Sequence, residues 1–247
     1  GTRTGFVSMA CNGSQIIILD GVAGWIVDIA AQTLTQITDS DFPQSATWAR
    51  YYDGYFIVGG YGSKQFKVSA LNDGLTWDAL DFYSAEADPG ANIAGEVDHR
   101  ELILFGENVT EVWIDTGSNE AQFQRAGNTL IEVGCAAVGS VAKLDNSVIF
   151  LGRDRRGQGI VYRMNGYSPQ RISDYGVELA IDGYSTISDA VAFTYQQRGH
   201  AFYVLSFPTG NATWVYDVST GLWHERAYMD QKTGLYGRDL AASFCFF

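Results

Sequence analysis

Between residues 5 and 229 one hydrophobic pattern recurs five times, with roughly 40 to 54 residues between equivalent points, and this period limits the fold more than any other feature. The clearest member of each repeat is a strand: Gln15–Asp20 (QIIILD), Tyr55–Gly59 (YFIVG), Glu101–Gly106 (ELILFG), Ser147–Gly152 (SVIFLG) and Ala201–Phe207 (AFYVLSF). A repeat of this length is one supersecondary unit that cannot bury its hydrophobic face alone, so neighbours must stack. The predicted fold is all-β: a single β-propeller domain over 1–247. Five four-stranded blades are expected near 5–37, 46–82, 93–126, 137–173 and 188–229, with a partial sixth at 237–247.

Turn chemistry upstream of these strands fits that register, because a tight hairpin needs residues that tolerate positive φ. The tips read Asn12-Gly13, Asp53-Gly54, Asp98-His99, Asp145-Asn146 and Arg198-Gly199, and the third is the exception, with Arg100 between it and its strand. Third strands follow at Gly24–Ile29, Gln65–Ala70, Val109–Asp115, Gly159–Met164 and Ala212–Val218. Closing strands are expected at Leu34–Ile37, Leu75–Phe82, Phe123–Ala126, Pro169–Ile172 and Leu222–Tyr228. No helix is predicted: the stretch Val177–Ile187 has room for one turn, but Gly183 and the β-branched residues beside it argue against more.

With 46% hydrophobic and 14% aromatic residues, the 247-residue chain can bury a large core. Its net charge of −12 argues against a basic nucleic-acid groove, since phosphate contacts need clustered Lys and Arg. The single basic cluster, Arg153–Arg156 (RDRR), is diluted by Asp154 and reads as a solvated turn, with a partner contact as the alternative. An acidic wall has a different use: it lets DNA pass without sticking. Cys11, Cys135 and Cys245 have neither metal-ligand nor disulfide-framework spacing and read as small buried apolar residues. No run reaches the ~18 apolar residues of a helical membrane span, and no signal-peptide pattern is seen. The first residue is Gly1 and the last run is the apolar Ser243–Phe247 (SFCFF), so a fragment of a longer chain is expected, whose missing strands would cover the open sixth blade.

Ala70–Trp77 (ALNDGLTW) resembles the Asp-box hairpin of sialidases, with Ala70 and Asn72 where Ser and Asp would stand. The residues singled out are Asn72, Asp73, Gly74 and Trp77, read as a structural turn: a polar side chain bonds the turn backbone, Gly74 supplies the unusual φ, and Trp77 packs beneath. No catalytic, cofactor or metal residues are assigned, and the protein is read as not an enzyme. A glycosidase needs two converging carboxylates, and nothing in spacing selects a pair among Asp78, Asp81, Glu86, Asp88, Glu96 and Asp98. The arginines form no evident anion-binding triad, and His99, His200 and His224 fall in different blades. The tryptophans read mainly as inter-blade packing, with carbohydrate stacking as the alternative.

Five segments carry a family resemblance: Ser69–Phe82 (SALNDGLTWDALDF), Ile103–Ile114 (ILFGENVTEVWI), Ile131–Ala137 (IEVGCAA), Ser140–Asp145 (SVAKLD) and Gly159–Ile172 (GIVYRMNGYSPQRI). Together they resemble the packaged-DNA stabilisation proteins, or tail accessory factors, of short-tailed bacteriophages and prophages. The resemblance implies a structural virion protein of the tail, assembled in the bacterial cytoplasm as a homo-oligomeric ring, a hexamer, without cofactors. Its implied partners are the portal and adaptor ring, the tail needle and the tailspikes. It would close the portal channel after packaging, with genome DNA passing through without sequence-specific contacts and without a membrane. The alternative class is a carbohydrate-binding or glycosidase-like propeller.

Overall fold

The computed structural model describes residues 6–118, 121–127 and 129–241. Two compact units divide the chain, Gly1–Glu132 and Val133–Phe247. In the first unit, β1 (Ser8–Cys11), β2 (Gln15–Leu19), β3 (Gly24–Asp28) and β4 (Thr33–Gln36) make one antiparallel meander. The second meander is β5 (Trp48–Tyr52), β6 (Tyr55–Gly59), β7 (Gln65–Ala70) and β8 (Asp73–Ser84). The third is β9 (Asn92–Asp98), β10 (Glu101–Gly106), β11 (Thr110–Asp115) and β12 (Phe123–Arg125). These are three four-stranded blades.

The second unit holds two more. In its first blade β13 (Gly134–Cys135) and β14 (Ala142–Lys143) both pair with β15 (Val148–Arg153), because a 3-10 turn at Val138–Ser140 interrupts the opening strand. The sheet continues through β16 (Gln158–Asn165) to β17 (Ser168–Arg171). After helix α1 (Tyr175–Asp182) comes the fifth meander: β18 (Val191–Gln197), β19 (His200–Phe207), β20 (Ala212–Asp217) and β21 (Leu222–Glu225).

Two expectations need correction here. A helix does form where none was predicted. Asp174 caps it by accepting the Val177 N–H (2.9 Å), and Val177 and Ile181, one turn apart, are buried in the core of the second unit. Burial of that face outweighs the modest propensity cost of β-branched residues, and Gly183 ends the helix instead of preventing it. Secondly, the closing strand expected over 222–228 stops at Glu225. The chain then enters a separate two-stranded hairpin, β22 (Ala227–Met229) with β23 (Tyr236–Arg238). New pairing therefore starts at Ala227, ten residues before the sixth blade expected at Gly237, and residues 242–247 lie outside those described.

Four hairpin tips are two-residue turns with positive φ at both positions: Asp53-Gly54 (45° and 96°), His99-Arg100 (48° and 61°), Asp145-Asn146 (51° and 56°) and Arg198-Gly199 (52° and 84°). The third tip thus centres on His99-Arg100, one residue later than expected. Right-handed strand twist demands this conformation even where neither Gly nor Asn is present. Local contacts hold it: Tyr52 Oη donates to the Arg100 carbonyl (2.5 Å), and Arg100 reaches Asp53 (3.5 Å).

Inward-facing residues of adjacent blades fill the wedges between them. In the first unit Ile17, Leu19, Ile26, Phe56, Val58 and Trp77 form one cluster, and Phe66, Tyr83, Trp113 and Phe123 form an aromatic group in which Phe66 stacks on Tyr83 and the other contacts are edge-to-face. The second unit's cluster includes Ile149, Leu151, Tyr203, Leu205 and Phe207. Each such side chain contributes about 1.5–3 kcal/mol by leaving water.

Candidate functional site

The turn between β7 and β8 is built as an anchor to the preceding blade. Asp73 organises it: its carboxylate accepts from the Leu75 N–H (3.0 Å) and the Thr76 hydroxyl (2.7 Å). Asn72 instead accepts from Tyr51 Oη (2.7 Å) and carries the positive φ, 57°, that was expected of Gly74. Gly74 is required for a different reason, since a Cβ there would lie 2.5 Å from Ile26 Cδ1. Trp77 is buried, and its indole N–H donates to the Gly74 carbonyl (2.9 Å). Two residues from the first repeat complete the joint: Gln15 accepts the Gly74 N–H (2.9 Å), and Asp39 accepts the Trp77 N–H (3.0 Å). Backbone N–H groups of Asp41 and Trp77 hold the Asp39 carboxyl below the usual carboxylate range.

A second joint runs along the first strands of the three blades. Ser8 Oγ on β1 accepts the Ala49 N–H on β5 (3.0 Å), and Arg50 on β5 pairs with Glu96 on β9 (2.8 Å) through two guanidinium N–H groups. Trp48, 1% exposed, donates to Asn92 Oδ1 (3.0 Å). Its ring occupies a notch that only glycine leaves open: a Cβ on Gly59 or Gly95 would fall 2.5 Å from it. Across all the described first strands the charged residues are Arg50, Lys143, Glu96 and Asp98, so opposite charges balance there. The acidity of the chain resides elsewhere.

The carboxylates considered for catalysis are dispersed among structural partners. Glu96 pairs with Arg50, Asp98 with His99 (2.8 Å) and Glu86 with Lys64 (2.5 Å), while Asp88 accepts from Asn108 (3.1 Å). Asp78 and Asp81 remain on β8, and burial, then Asp78, push the Asp81 carboxyl up. Arginines are similarly spread over separate acids: Arg100 with Asp53, Arg125 with Glu111, Arg163 with Asp145 and Arg171 with Glu178. Among the described residues no group of three or more His, Cys, Asp or Glu is arranged to hold a metal ion.

Indole N–H groups also point to packing, with Trp113 bonded to Glu111 (3.0 Å), Trp214 to Tyr184 (3.1 Å) and Trp223 to the Ile172 carbonyl (2.8 Å). Cys135 is buried, and burial pushes its thiol up to about 11. Cys11 is exposed, contrary to the expectation of a buried residue, because it ends β1 at a hairpin tip and its Sγ accepts the Gly13 N–H (3.2 Å). Cys245 lies outside the described residues.

In the second unit the tips after β14 and β18 border a polar cleft of about 540 Å³. His200 stands in it, its Nδ1 2.8 Å from Asp217. Burial raises the Asp217 carboxyl, but hydrogen bonds from His200, the Ser219 N–H and Thr220 outweigh this and leave it below the usual range. No helix among the described residues is long and apolar enough to cross a membrane.

Residues that sequence reasoning missed, Gln15, Asp39, Arg50 and Asn92, share one property: each acts on a partner 32 to 59 positions away. Comparison with curated proteins finds no match. A protein-family model described as "Bacteriophage P22 Gp10, beta-propeller" matches residues 2–246.

Proposed function

The chain belongs to the bacteriophage P22 Gp10 β-propeller family of phage stabilisation proteins, and from that premise we propose that it is the part of the phage tail that closes the portal channel after DNA packaging. The fold is a β-propeller and the protein is a structural phage protein of the P22-like kind. In the proposed role it joins the virion below the portal and its adaptor ring, as one protomer of a homo-oligomeric ring. Its outer loops support the tail needle or the tailspikes. The observation that carries this reading is the family match over nearly the whole chain.

The physical requirements of the role are rigidity and weak adhesion to DNA. Rigidity is supported by joints in which one blade's polar side chains satisfy another's backbone, as Ser8 and Asp39 do. Weak adhesion is supported by the net charge of −12, because counterion release needs clustered basic residues. Channel closure then comes from shape and not from phosphate binding. No bond is made or broken in this role, so it calls for no catalytic group.

The test is genome retention. The full-length protein is added to DNA-filled capsids that lack it, with matched portal and adaptor present, and released DNA is followed over time. Restored retention is expected; leakage at the rate of untreated capsids would overturn the proposal.

A further inference from the structure

In the second unit the tips of two neighbouring blades stand side by side. Asp145-Asn146 joins β14 to β15 in the fourth blade, and Arg198-Gly199 joins β18 to β19 in the fifth. Both tips are pinned. Arg163 donates to the Asp145 carbonyl (3.0 Å) and to its carboxylate (2.8 Å), and the Ser219 hydroxyl donates to the Gly199 carbonyl (3.4 Å). The bond from the Thr194 hydroxyl to the Lys143 carbonyl (2.9 Å) ties one blade to the other just below them. The cleft that the tips border is therefore preformed. Its volume of about 540 Å³ lies within the range of roughly 300–1,000 Å³ typical of small-molecule sites.

The lining has two parts. Ala201 and Val218 are apolar, and both pack against the core cluster of the second unit. Asp145, Gln196, Gln197, Arg198 and Ser219 supply polar groups. Among the described residues, none bonds the side chains of Gln196, Gln197 or Arg198. This sets Arg198 apart, because Arg50, Arg100, Arg125, Arg163, Arg171 and Arg226 each face an acid. Asp145, the acid of the cleft's other wall, is already balanced by Arg163. In a chain of net charge −12, a guanidinium left unpaired at the edge of a cleft is a recognition group for an anion.

We propose that this cleft binds an acidic sugar, a ring bearing one carboxylate and several hydroxyls. The planar fork of Arg198 matches the carboxylate. The amides of Gln196 and Gln197 both donate and accept, as sugar hydroxyls do, and the Asp145 carboxylate accepts from one hydroxyl more. Ala201 and Val218 offer an apolar floor to the C–H face of the ring. Neutral sugars lack the charge and simple carboxylates lack the hydroxyls, so the two kinds of contact together set the selectivity. The site is independent of channel closure, and neither requires the other.

Titration of the full chain with D-glucuronate, followed in proton–nitrogen correlation spectra, tests the proposal, with D-glucose and acetate as comparison ligands. Amide shifts are expected at Asp145, 196–201 and 218–219. A dissociation constant of about 1 mM is expected for glucuronate, and values at least about tenfold weaker for glucose and for acetate. Arg198→Gln should weaken glucuronate binding about tenfold and Gln196→Ala about threefold, since each removes a ligand contact without breaking an internal bond. Arg156→Gln, at an exposed arginine outside the cleft, should leave binding unchanged. Absence of shifts at about ten times the expected dissociation constant would overturn the proposal. Shifts confined to other regions, or glucose or acetate binding as tightly as glucuronate, would overturn it too. So would an Arg198→Gln protein that binds as the wild type does. The same spectra report whether each variant is folded. Should Arg198→Gln be unfolded, Arg198→Lys replaces it; it keeps the charge but not the fork, so a loss of about threefold is expected, and unchanged affinity would again overturn the assignment.

Discussion

In the first unit long polar side chains join three blades along their first strands, whereas in the second a helix and backbone carbonyls fill the joint between two blades. Arg50 spans from β5 to Glu96 on β9, and Trp48 enters a notch left by Gly59 and Gly95. In the second unit α1 buries Val177 and Ile181 in the blade core, Tyr203 Oη donates to the Ser140 carbonyl (2.7 Å), and the Thr194 hydroxyl donates to the Lys143 carbonyl (2.9 Å). The difference follows from how each opening strand is built. β5 and β9 are continuous, so their side chains alternate and meet across the gap. The opening strand of the fourth blade is broken by the turn at Val138–Ser140, which frees carbonyls that neighbouring hydroxyls then satisfy.

The largest expected effect breaks the helical joint. Ile181→Ala removes a 1% exposed side chain that also closes on the backbone at Gly159, and should cost about 3 kcal/mol in chemical denaturation. A loss under ~1 kcal/mol would mean that the helix decorates the second unit without supporting it. In the first unit Gly95→Ala is the matching test. The new methyl would overlap the Trp48 ring, which has no room to move, and about 2 kcal/mol of destabilisation is expected. If Gly95→Ala were neutral, the notch would be adjustable and the contrast between a rigid and a filled joint would weaken.

Both outcomes bear on what was legible in the sequence. Blade count and strand positions were readable because alternation and turn residues are local signals, and each core strand repeats them. The helix was not, since its stability comes from Val177 and Ile181 meeting residues far along the chain, while its local propensity is poor. For the Asp-box-like turn the position was readable but the division of labour was not: Asp73 does the capping, Asn72 takes the positive φ, and Gly74 is small because Ile26 is near. Asp39 and Gln15 lie outside any motif, so only the fold reveals them as part of that joint. The His99-Arg100 tip was displaced by one residue because its composition hides a conformation that the strand twist imposes.

A smaller expected effect isolates a single carbonyl bond. Tyr203→Phe deletes the hydroxyl that satisfies Ser140 and leaves the ring in place, so about 1 kcal/mol should be lost. Burial holds this phenol far above the ordinary tyrosine range, so its neutral form persists in the folded state and the loss should not vary across neutral pH. A variant as stable as the wild type would mean that the broken strand exposes its carbonyl to water after all.

The smallest effect is expected at the rim of the second unit, where Asp217 ties the β18–β19 tip to the end of β20 through His200. Its folded carboxyl titrates below the usual range, so its contribution is present above the unfolded value, roughly pH 4, and is lost as pH falls through the folded one. Wild-type stability should therefore decline on the acid side more steeply than that of Asp217→Asn, which has no such proton to bind. Thermal unfolding of the two proteins from pH 6 down to about pH 3 measures the difference. Curves that stay parallel would show that the aspartate is no better bound in the folded chain than in the unfolded one, and that this tip, unlike the Arg50–Glu96 joint, contributes position without stability.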